Sequence, residues 1–137
     1  MMQAYPVRAA QAYLQTHVQS RSPLELVVML YDGLLRFLGD AGGAIDGGDL
    51  PGKRDAISKA LAVLSELQST LNMEQGGEVA TSLDALYTYV NGRLLDASMQ
   101  NDRAPLDESA RLLRTLREAW AEIATREVAP VPVEARR

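Results

Sequence analysis

The segment from Ser22 to Phe37, SPLELVVMLYDGLLRF, constrains the fold more than any other part of the chain. Ser22 is a favourable helix N-cap, Pro23 suits the first helical position, and Glu25 completes an S-x-x-E capping box. Apolar side chains then cover roughly 200° of the predicted helix, whereas an ordinary surface helix needs an apolar stripe of about 100°. This helix is therefore either central to the fold or leaves apolar surface for another chain.

The apolar positions of this first helix fall into a core stripe and two flanks. The stripe is predicted to comprise Val27, Leu30, Tyr31, Leu34 and Leu38. One flank consists of Leu24, Val28 and Leu35, and the other consists of Leu26 and Phe37. Because packing within a small bundle requires the stripe, the flank of Leu24, Val28 and Leu35 is the candidate surface for another chain.

The overall composition excludes several classes of protein. The chain has 137 residues, of which 47% are hydrophobic, enough for one domain with a buried core. A net charge of −4 provides no basic surface for nucleic acid, and no apolar run approaches the roughly 18 residues of a membrane span. The N-terminal residues lack the apolar core of a signal peptide, and the absence of cysteine fits a reducing cytosol. We therefore expect a cytoplasmic protein without membrane insertion or nucleic-acid partners.

Helical periodicity divides the chain into four segments separated by glycine- and proline-containing links. The predicted helices span about 23–46, 53–73, 78–101 and 105–127. Short links make consecutive helices antiparallel neighbours. The predicted fold is therefore all-α, an antiparallel up-down-up-down four-helix bundle over residues 22–128. Residues 1–21 are expected to form a short N-terminal arm that covers a groove, and residues 129–137 are expected to form a disordered tail.

The third and fourth helices also predict core positions. The stripe of the third helix begins at Val79, and that of the fourth helix includes Ile123. Trp120 is the largest apolar side chain of the fourth helix and is predicted to anchor it in the bundle.

No catalytic or metal-binding constellation can be assembled from this sequence. His17, the single histidine, lies in the polar arm, and the paired E-x-x-H motifs of di-iron bundles are absent. We therefore expect no enzymatic activity, no cofactor and no bound metal. Gly33, inside the apolar first helix, leaves two interpretations open. It either permits close approach of a neighbouring helix or leaves room for a side chain of a partner.

Three blocks of the sequence resemble the FliS-type flagellar export chaperones. The first, AYLQTHVQSRSPLELVVMLYDGLLRFL, is similar to the family's opening pattern A-Y-x-x-x-x-V-x-T-A-[ST]-P-x-x-L-[VI]-x-M-L-Y-[DN]-G. The second, STLNMEQGGEVATSLDALYTYVNGRLLDASMQND, resembles its central G-G-E and L-Y-x-Y region, and LLRTLREAW resembles its closing L-L-x-x-[LI]-R-x-A-W. Together the blocks cover about residues 11–121 in order. The chain departs from the pattern at Arg21 and at Gly39, Gly42 and Gly43, glycines that each cost about 1 kcal/mol of helix stability relative to alanine.

The resemblance implies a helical bundle that binds the C-terminal segment of newly made flagellin in the cytosol. Family members hold that segment as helices over the grooves of the bundle, which prevents premature filament polymerisation and presents flagellin to the export apparatus. The resemblance also implies that the N-terminal arm covers the groove and gives way to flagellin. A component of the flagellar export gate is a further candidate partner.

The residues expected to bind flagellin lie in the arm and in three helices. They are Tyr13 and Val18 in the arm, Leu24, Val28, Tyr31 and Leu35 in the first helix, Leu67 and Leu71 in the second, and Tyr87, Tyr89, Val90 and Leu94 in the third. Several of these positions fit a buried core at least as well as a binding surface. Tyr13, Val28 and Tyr89 are the stronger candidates, because the core alone does not require them.

Two alternative functions remain open at this point. One is a four-helix adaptor that binds a regulator or another amphipathic-helix partner in secretion. The other is an all-helical enzyme whose site combines Arg93, Arg114 or Arg117 with carboxylates. Those arginines fall on or beside polar faces, so this alternative requires a pocket in which they converge.

Overall fold

Ser22 and Glu25 fix the start of the first helix. In the computed structural model, which describes residues 22–128, the Glu25 amide donates a hydrogen bond to the Ser22 hydroxyl at 3.1 Å. The Ser22 amide donates in return to the Glu25 carboxylate at 2.9 Å. The predicted capping box is therefore present, and helix α1 spans Pro23–Asp46 with Gly47 as its C-cap.

Three further helices complete the described part of the chain. They are α2 over Leu50–Ser69, α3 over Met73–Gln100 and α4 over Ala104–Val128. No strand occurs within residues 22–128, so the all-α prediction is confirmed for this range. The predicted arm and tail, residues 1–21 and 129–137, lie outside the described residues.

Helix α2 begins at Leu50 rather than near residue 53, because Asp49 is its N-cap. The Gly52 amide donates to the Asp49 carboxylate at 3.0 Å. Pro51 then falls in the first turn, where its missing amide hydrogen would have had no helical partner. The predicted start near residue 53 is therefore about three residues too late.

Helix α3 begins at Met73 rather than near residue 78. The Asn72 side chain accepts a hydrogen bond from the Gln75 amide at 2.9 Å and so caps a first helical turn. Gly77, with φ of 53° and ψ of −129°, then interrupts the helical conformation. The predicted start therefore corresponds to the far side of a glycine kink.

The four helices form a ring in which each helix packs mainly against two others. α1 contacts α2 and α4, and α3 contacts α2 and α4. Lys53, near the start of α2, donates to the Ser98 carbonyl near the end of α3 at 2.8 Å. Arg117, in the second half of α4, donates to Asp32 in the first half of α1, also at 2.8 Å. Antiparallel neighbours require such contacts between early and late positions.

The core of the bundle fills the centre of this ring with apolar side chains. Its larger members are Leu30, Tyr31, Leu34 and Leu38 from α1, Ile57, Leu64 and Leu67 from α2, Leu83, Tyr87, Val90 and Leu94 from α3, and Leu106 and Leu113 from α4. Trp120 packs against this cluster, as predicted. Within residues 22–128, no helix combines the length and apolar composition that crossing a bilayer requires.

Two predicted core positions are wrong. Val79 is 66% exposed because it lies immediately beyond the kink at Gly77, at the margin of the bundle. Ile123 is 37% exposed because the adjacent Ala124, only 4% exposed, occupies the core side of α4 at this level. Both side chains therefore add apolar area to the surface.

Candidate partner-binding surfaces

Five of the residues expected to bind a partner lie in the core of the bundle. Each is at most 1% exposed: Tyr31, Leu67, Tyr87, Val90 and Leu94. A partner cannot reach these side chains while the bundle stays closed. Their direct contact with a partner stays a prediction, whereas their packing in the core is observed.

The two buried tyrosines form a polar centre. Their hydroxyl oxygens lie 2.6 Å apart, and their ring centroids lie 6.5 Å apart with an interplanar angle of 56°. Burial is the largest influence on both side chains and raises the pKa of Tyr31 and the pKa of Tyr87. The hydrogen bond with Tyr87 and the nearby Trp120 indole both act in the opposite direction on the pKa of Tyr31, but burial outweighs them. Both hydroxyls therefore stay protonated at neutral pH.

Leu24, Val28 and Leu35, which we name the α1 edge, are half-buried on one flank of α1. This flank faces α4, because Asp32, one turn beyond Val28, accepts hydrogen bonds from Arg117 of α4 at 2.8 and 3.3 Å. Asp32 and Arg117 therefore place one negative and one positive charge beside the apolar α1 edge. Part of each apolar side chain in this edge is available for contact with another chain.

Gly33 lies on a different side of α1. A methyl group added there would meet no atom within 4 Å. No helix of the described bundle therefore approaches Gly33 closely, which removes the first of its two interpretations. The open space agrees with room for a side chain of a partner.

Tyr89 is 47% exposed and is held in place from α4. Its hydroxyl donates to the Glu108 carboxylate at 2.7 Å, and Arg93 Nε donates to the same carboxylate at 2.7 Å. These two hydrogen bonds lower the pKa of Glu108, and the bond to Glu108 raises the pKa of Tyr89. The Tyr89 ring is thereby positioned along the boundary between α3 and α4.

Further apolar side chains accompany Tyr89 along this boundary. They are Val79 and Leu86 on α3 and Leu112, Leu116 and Ile123 on α4. Leu112 and Leu116 follow Glu108 at four-residue spacing, so they share the face of α4 that meets Tyr89. We name these five residues and Tyr89 the α3–α4 surface. Val79, Leu112 and Ile123 are 66%, 37% and 37% exposed, so this surface presents apolar area to solvent.

Sequence reasoning included only Tyr89 from the α3–α4 surface among the binding residues. It assigned Val79 and Ile123 to the core and did not single out Leu112. The available signal was the four-residue spacing of leucines on α4, which widens its apolar face beyond one stripe.

The remaining predicted binding residues fall at the margin of the bundle or beyond the description. Leu71, just after α2, is half-buried and packs against the core. Tyr13 and Val18 lie outside the described residues, so their role stays a prediction.

The arginines of the enzyme alternative do not share a pocket within residues 22–128. Arg93 pairs with Asp96 and Glu108 between α3 and α4, whereas Arg117 pairs with Asp32 between α4 and α1. A cavity of about 380 Å³ lies between α1, α2 and their connecting turn, and no arginine lines it. In the same range, no three histidine, aspartate or glutamate side chains gather as metal ligands would. Arg93 and Arg117 therefore belong to separate ion pairs on opposite flanks of α4.

A sequence model of the family described as flagellar protein FliS matches residues 6–127. This chain belongs to that family. The flagellar secretion chaperone FliS of Salmonella typhimurium is 39% identical over 115 residues, which cover 83% of this chain and 85% of that protein. The flagellar secretion chaperone FliSB of Pseudomonas aeruginosa is 34% identical over 120 residues, 85% of this chain and 95% of that protein. FliS of Bacillus subtilis is 37% identical over 109 residues, 80% of each chain.

Membership in the FliS family confirms the resemblance seen in the sequence. The similar proteins are named secretion chaperones rather than enzymes. A FliS-family chaperone acts through binding, so the two exposed apolar surfaces, rather than the buried polar centre, are its candidate functional sites.

Proposed function

We propose that this chain is a cytoplasmic export chaperone for flagellin. In this proposal it binds the C-terminal segment of flagellin, prevents premature polymerisation and delivers the subunit to the flagellar type III export apparatus. Membership in the FliS family carries the proposal, because the similar proteins are flagellar secretion chaperones. The identification of flagellin as the protein that this chain binds is our own addition to the family assignment.

The arrangement of the two apolar surfaces supports this proposal. The α1 edge and the α3–α4 surface border opposite flanks of α4, because α4 packs between α1 and α3. A client segment of roughly 40 residues can form two helices of about 15 residues, each about 22 Å long. One helix would lie on each surface, in the manner of an amphipathic helix bound in an apolar groove.

We expect binding to be reversible because the flagellin segment folds only when it binds. A segment that folds on binding loses conformational entropy, which reduces the affinity obtained from a given contact area. Competition from residues 1–21 for the same surface would reduce the apparent affinity further. The chaperone can then release flagellin at the export apparatus without hydrolysing a nucleotide.

Titration with a peptide of the last ~40 residues of flagellin tests the proposal, since binding should add helix and bury apolar surface. We expect a gain of helical circular dichroism and a negative heat-capacity change by calorimetry. Val28→Lys on the α1 edge and Tyr89→Lys on the α3–α4 surface should each weaken binding about tenfold or more, equivalent to about 1.4 kcal/mol. Ser58→Lys on the exposed outer side of α2 is the matched control and should leave the affinity unchanged.

The results distinguish two claims: that flagellin is the protein bound, and that it binds to these two surfaces. No binding by the wild-type chain would contradict flagellin as the client. Binding that is equally strong in the Val28 and Tyr89 variants would contradict the assigned surfaces but not the client. Deletion of residues 1–15 should change the affinity more than the melting temperature if the arm competes with flagellin.

A further inference from the structure

The outer face of α4 carries two positive charges without a partner among residues 22–128. Arg111 and Arg114 are exposed and lie one helical turn apart. Arg54 on α2 is also unpaired in this range. The other described lysines and arginines form ion pairs, donate hydrogen bonds or lie over an aromatic ring: Arg36, Lys53, Lys59, Arg93, Arg103, Arg117 and Arg126. Because the whole chain has a net charge of −4, two adjacent unpaired arginines are a local exception to its acidic character.

Neighbouring carboxylates on α4 do not neutralise these two arginines. One turn before Arg111, Asp107 pairs with the arginine that precedes α4, and Glu108 accepts hydrogen bonds from α3 on both of its oxygens. Glu118 follows Arg114 by one turn, but a basic residue that precedes an acidic one is the less favourable order on a helix. Both guanidinium groups are therefore available to a carboxylate of another chain.

One end of the α1 edge lies level with Arg114. Asp32 pairs with Arg117, and the last residue of α1 pairs with the residue that precedes α4, so the two helices are antiparallel. Leu35, the last member of the α1 edge, lies one turn after Asp32. Its level on α4 is therefore one turn before Arg117, which is the level of Arg114.

The Tyr89 end of the α3–α4 surface reaches the same part of α4. Tyr89 donates to Glu108, and Arg111 follows Glu108 by one turn. At about 100° per residue, Arg111 falls between Arg114 and Leu112 on the outward side of α4. Leu112 itself belongs to the α3–α4 surface. The two arginines therefore occupy the space between the ends of the two apolar surfaces.

Two helices of one bound segment, one on each surface, must be joined across α4. A helix with its side chains is about 10–12 Å wide, so about four extended residues at roughly 3.3 Å each can cross it. At the level of Leu35 the crossing meets the two arginines. Farther along α4 it would meet Glu118 and the ion pair of Glu122 with Arg126. An acidic connection is attracted only at the first of these places.

We propose that Arg111 and Arg114 bind aspartate or glutamate side chains in the connection between the two helices of the flagellin segment. The contact rests on the proposed function and adds to it the place where the segment crosses the bundle. The C-terminal carbonyl groups of the helix that ends at the crossing add partial negative charge, which the same arginines attract.

The variant Arg111→Gln/Arg114→Gln tests this contact in the full chain. Glutamine has a helix propensity close to that of arginine, so the melting temperature should not change. Exposed ion pairs are individually weak, so the last ~40 residues of flagellin should bind about three- to tenfold more weakly at low salt. Stopped-flow measurements should assign most of this loss to slower association. The difference from the wild type should shrink as salt rises.

Two control variants separate the position of the charges from their number. Arg54→Glu, on α2, changes the net charge by as much as the double variant but should keep nearly the wild-type affinity, because α2 does not pack against α4. Arg111→Lys/Arg114→Lys retains both positive charges and should restore most of the affinity that the glutamine variant loses.

A changed peptide identifies the groups that the arginines contact. Hydrogen exchange of the bound flagellin segment locates the connection between its two helices, and the aspartate and glutamate residues there are replaced by asparagine and glutamine. The amide peptide should bind the wild-type chain about as weakly as the original peptide binds the glutamine variant. Combining both changes should cause little further loss, because each removes the same contact.

The results distinguish this contact from the proposed function. No binding of the flagellin segment by the wild-type chain would contradict the proposed function and this contact with it. Normal binding by the wild type and an equal affinity in the glutamine variant would overturn only the contact. Losses that add when both changes are combined, a loss independent of salt, or a connection without acidic residues would also overturn it. An equal loss in Arg54→Glu would overturn it as well, because net charge alone would then explain the effect.

Discussion

The hydroxyl groups of Tyr31 on α1 and Tyr87 on α3 lie 2.6 Å apart in the centre of an otherwise apolar core. α1 and α3 are diagonal in the ring of helices, so this hydrogen bond joins them across the bundle. Because a buried hydroxyl without a partner is costly, each tyrosine restricts the position of the other. The pair therefore favours one relative placement of α1 and α3.

Phenylalanine substitutions test this coupling. Tyr31→Phe or Tyr87→Phe alone should reduce the free energy of unfolding by about 1–3 kcal/mol, because the other hydroxyl is left buried without a partner. The double variant should lose less than the sum of the two single losses, since neither hydroxyl remains. Urea unfolding followed by circular dichroism measures all four proteins. Strictly additive losses would show that the two hydroxyls are not coupled.

The same pair predicts a dependence of stability on alkaline pH. Burial raises the pKa of Tyr31 and the pKa of Tyr87 above the ordinary value of 10.0. A raised folded-state pKa gives a contribution to stability that is complete below the unfolded-state pKa and is lost as the pH rises through the folded-state pKa. We expect the free energy of unfolding to decline above about pH 10. The decline should be smaller in the Tyr31→Phe/Tyr87→Phe double variant, and an identical decline would contradict this assignment.

The first helix shows how much of the fold can be predicted from the sequence. Ser22 and Glu25 interact within one turn, and the stripe through Leu30, Tyr31 and Leu34 is buried as its spacing indicates. Caps and helical period depend only on residues close in the chain. The all-α class and the existence of four helices follow from such local signals.

Helix starts were less predictable where two local signals compete. Asp49 can cap a helix, whereas Pro51 is a residue that also ends helices; Asn72 can cap a helix, whereas Gly77 breaks one. In both cases the cap starts a helical turn: Pro51 is accommodated in the first turn of α2, whereas Gly77 interrupts α3 after its first turn. The sequence pattern alone does not determine which signal prevails.

The binding surfaces were predictable only in part because they depend on tertiary packing. Tyr87 is 1% exposed and Tyr89 is 47% exposed, although only one residue lies between them on the same helix. Each residue turns the helix by about 100°, and the exposure of a flank depends on which neighbouring helix covers it. Periodicity identifies the core face but does not show which flank the neighbours leave open.

Two adjacent glycines in α1 should respond differently to alanine. A methyl group at Gly42 would lie 2.9 Å from an Arg103 guanidinium nitrogen, whereas one at Gly43 would meet nothing within 4 Å. Gly43→Ala should therefore raise the free energy of unfolding by about 1 kcal/mol through helix propensity. Gly42→Ala should gain less or lose stability, because Arg103 must move away from its ion pair with Asp46.

Thermal unfolding of both alanine variants measures this difference. An Arg103→Ala background supplies the control, since the two substitutions should become equally stabilising once the guanidinium is gone. Equal gains in the free energy of unfolding for both alanine variants in the wild-type background would contradict the close packing of the Arg103 guanidinium against Gly42.

Lys53 should contribute more to stability than a surface lysine, because it caps the end of α3. It is 5% exposed, and its ammonium group donates to the Ser98 carbonyl at 2.8 Å and to the Asn101 side chain at 2.6 Å. The Ser98 carbonyl is among the last four of α3, which have no partner within the helix, and positive charge is favourable at a helix C-terminus. Lys53→Met should therefore reduce the free energy of unfolding by about 1–3 kcal/mol, since both acceptors lose their donor.

Lys59→Met is the matched control on the same helix. Lys59 is more exposed and pairs with Asp55 one turn away at 3.1 Å, so its loss should cost less than about 1 kcal/mol. Urea unfolding of both variants at neutral pH gives the comparison. If Lys53→Met cost no more than Lys59→Met, the two hydrogen bonds of Lys53 would not hold the end of α3 against α2. If it costs more, amide hydrogen exchange should also show faster opening in the last turn of α3, where the Lys53 contacts are lost.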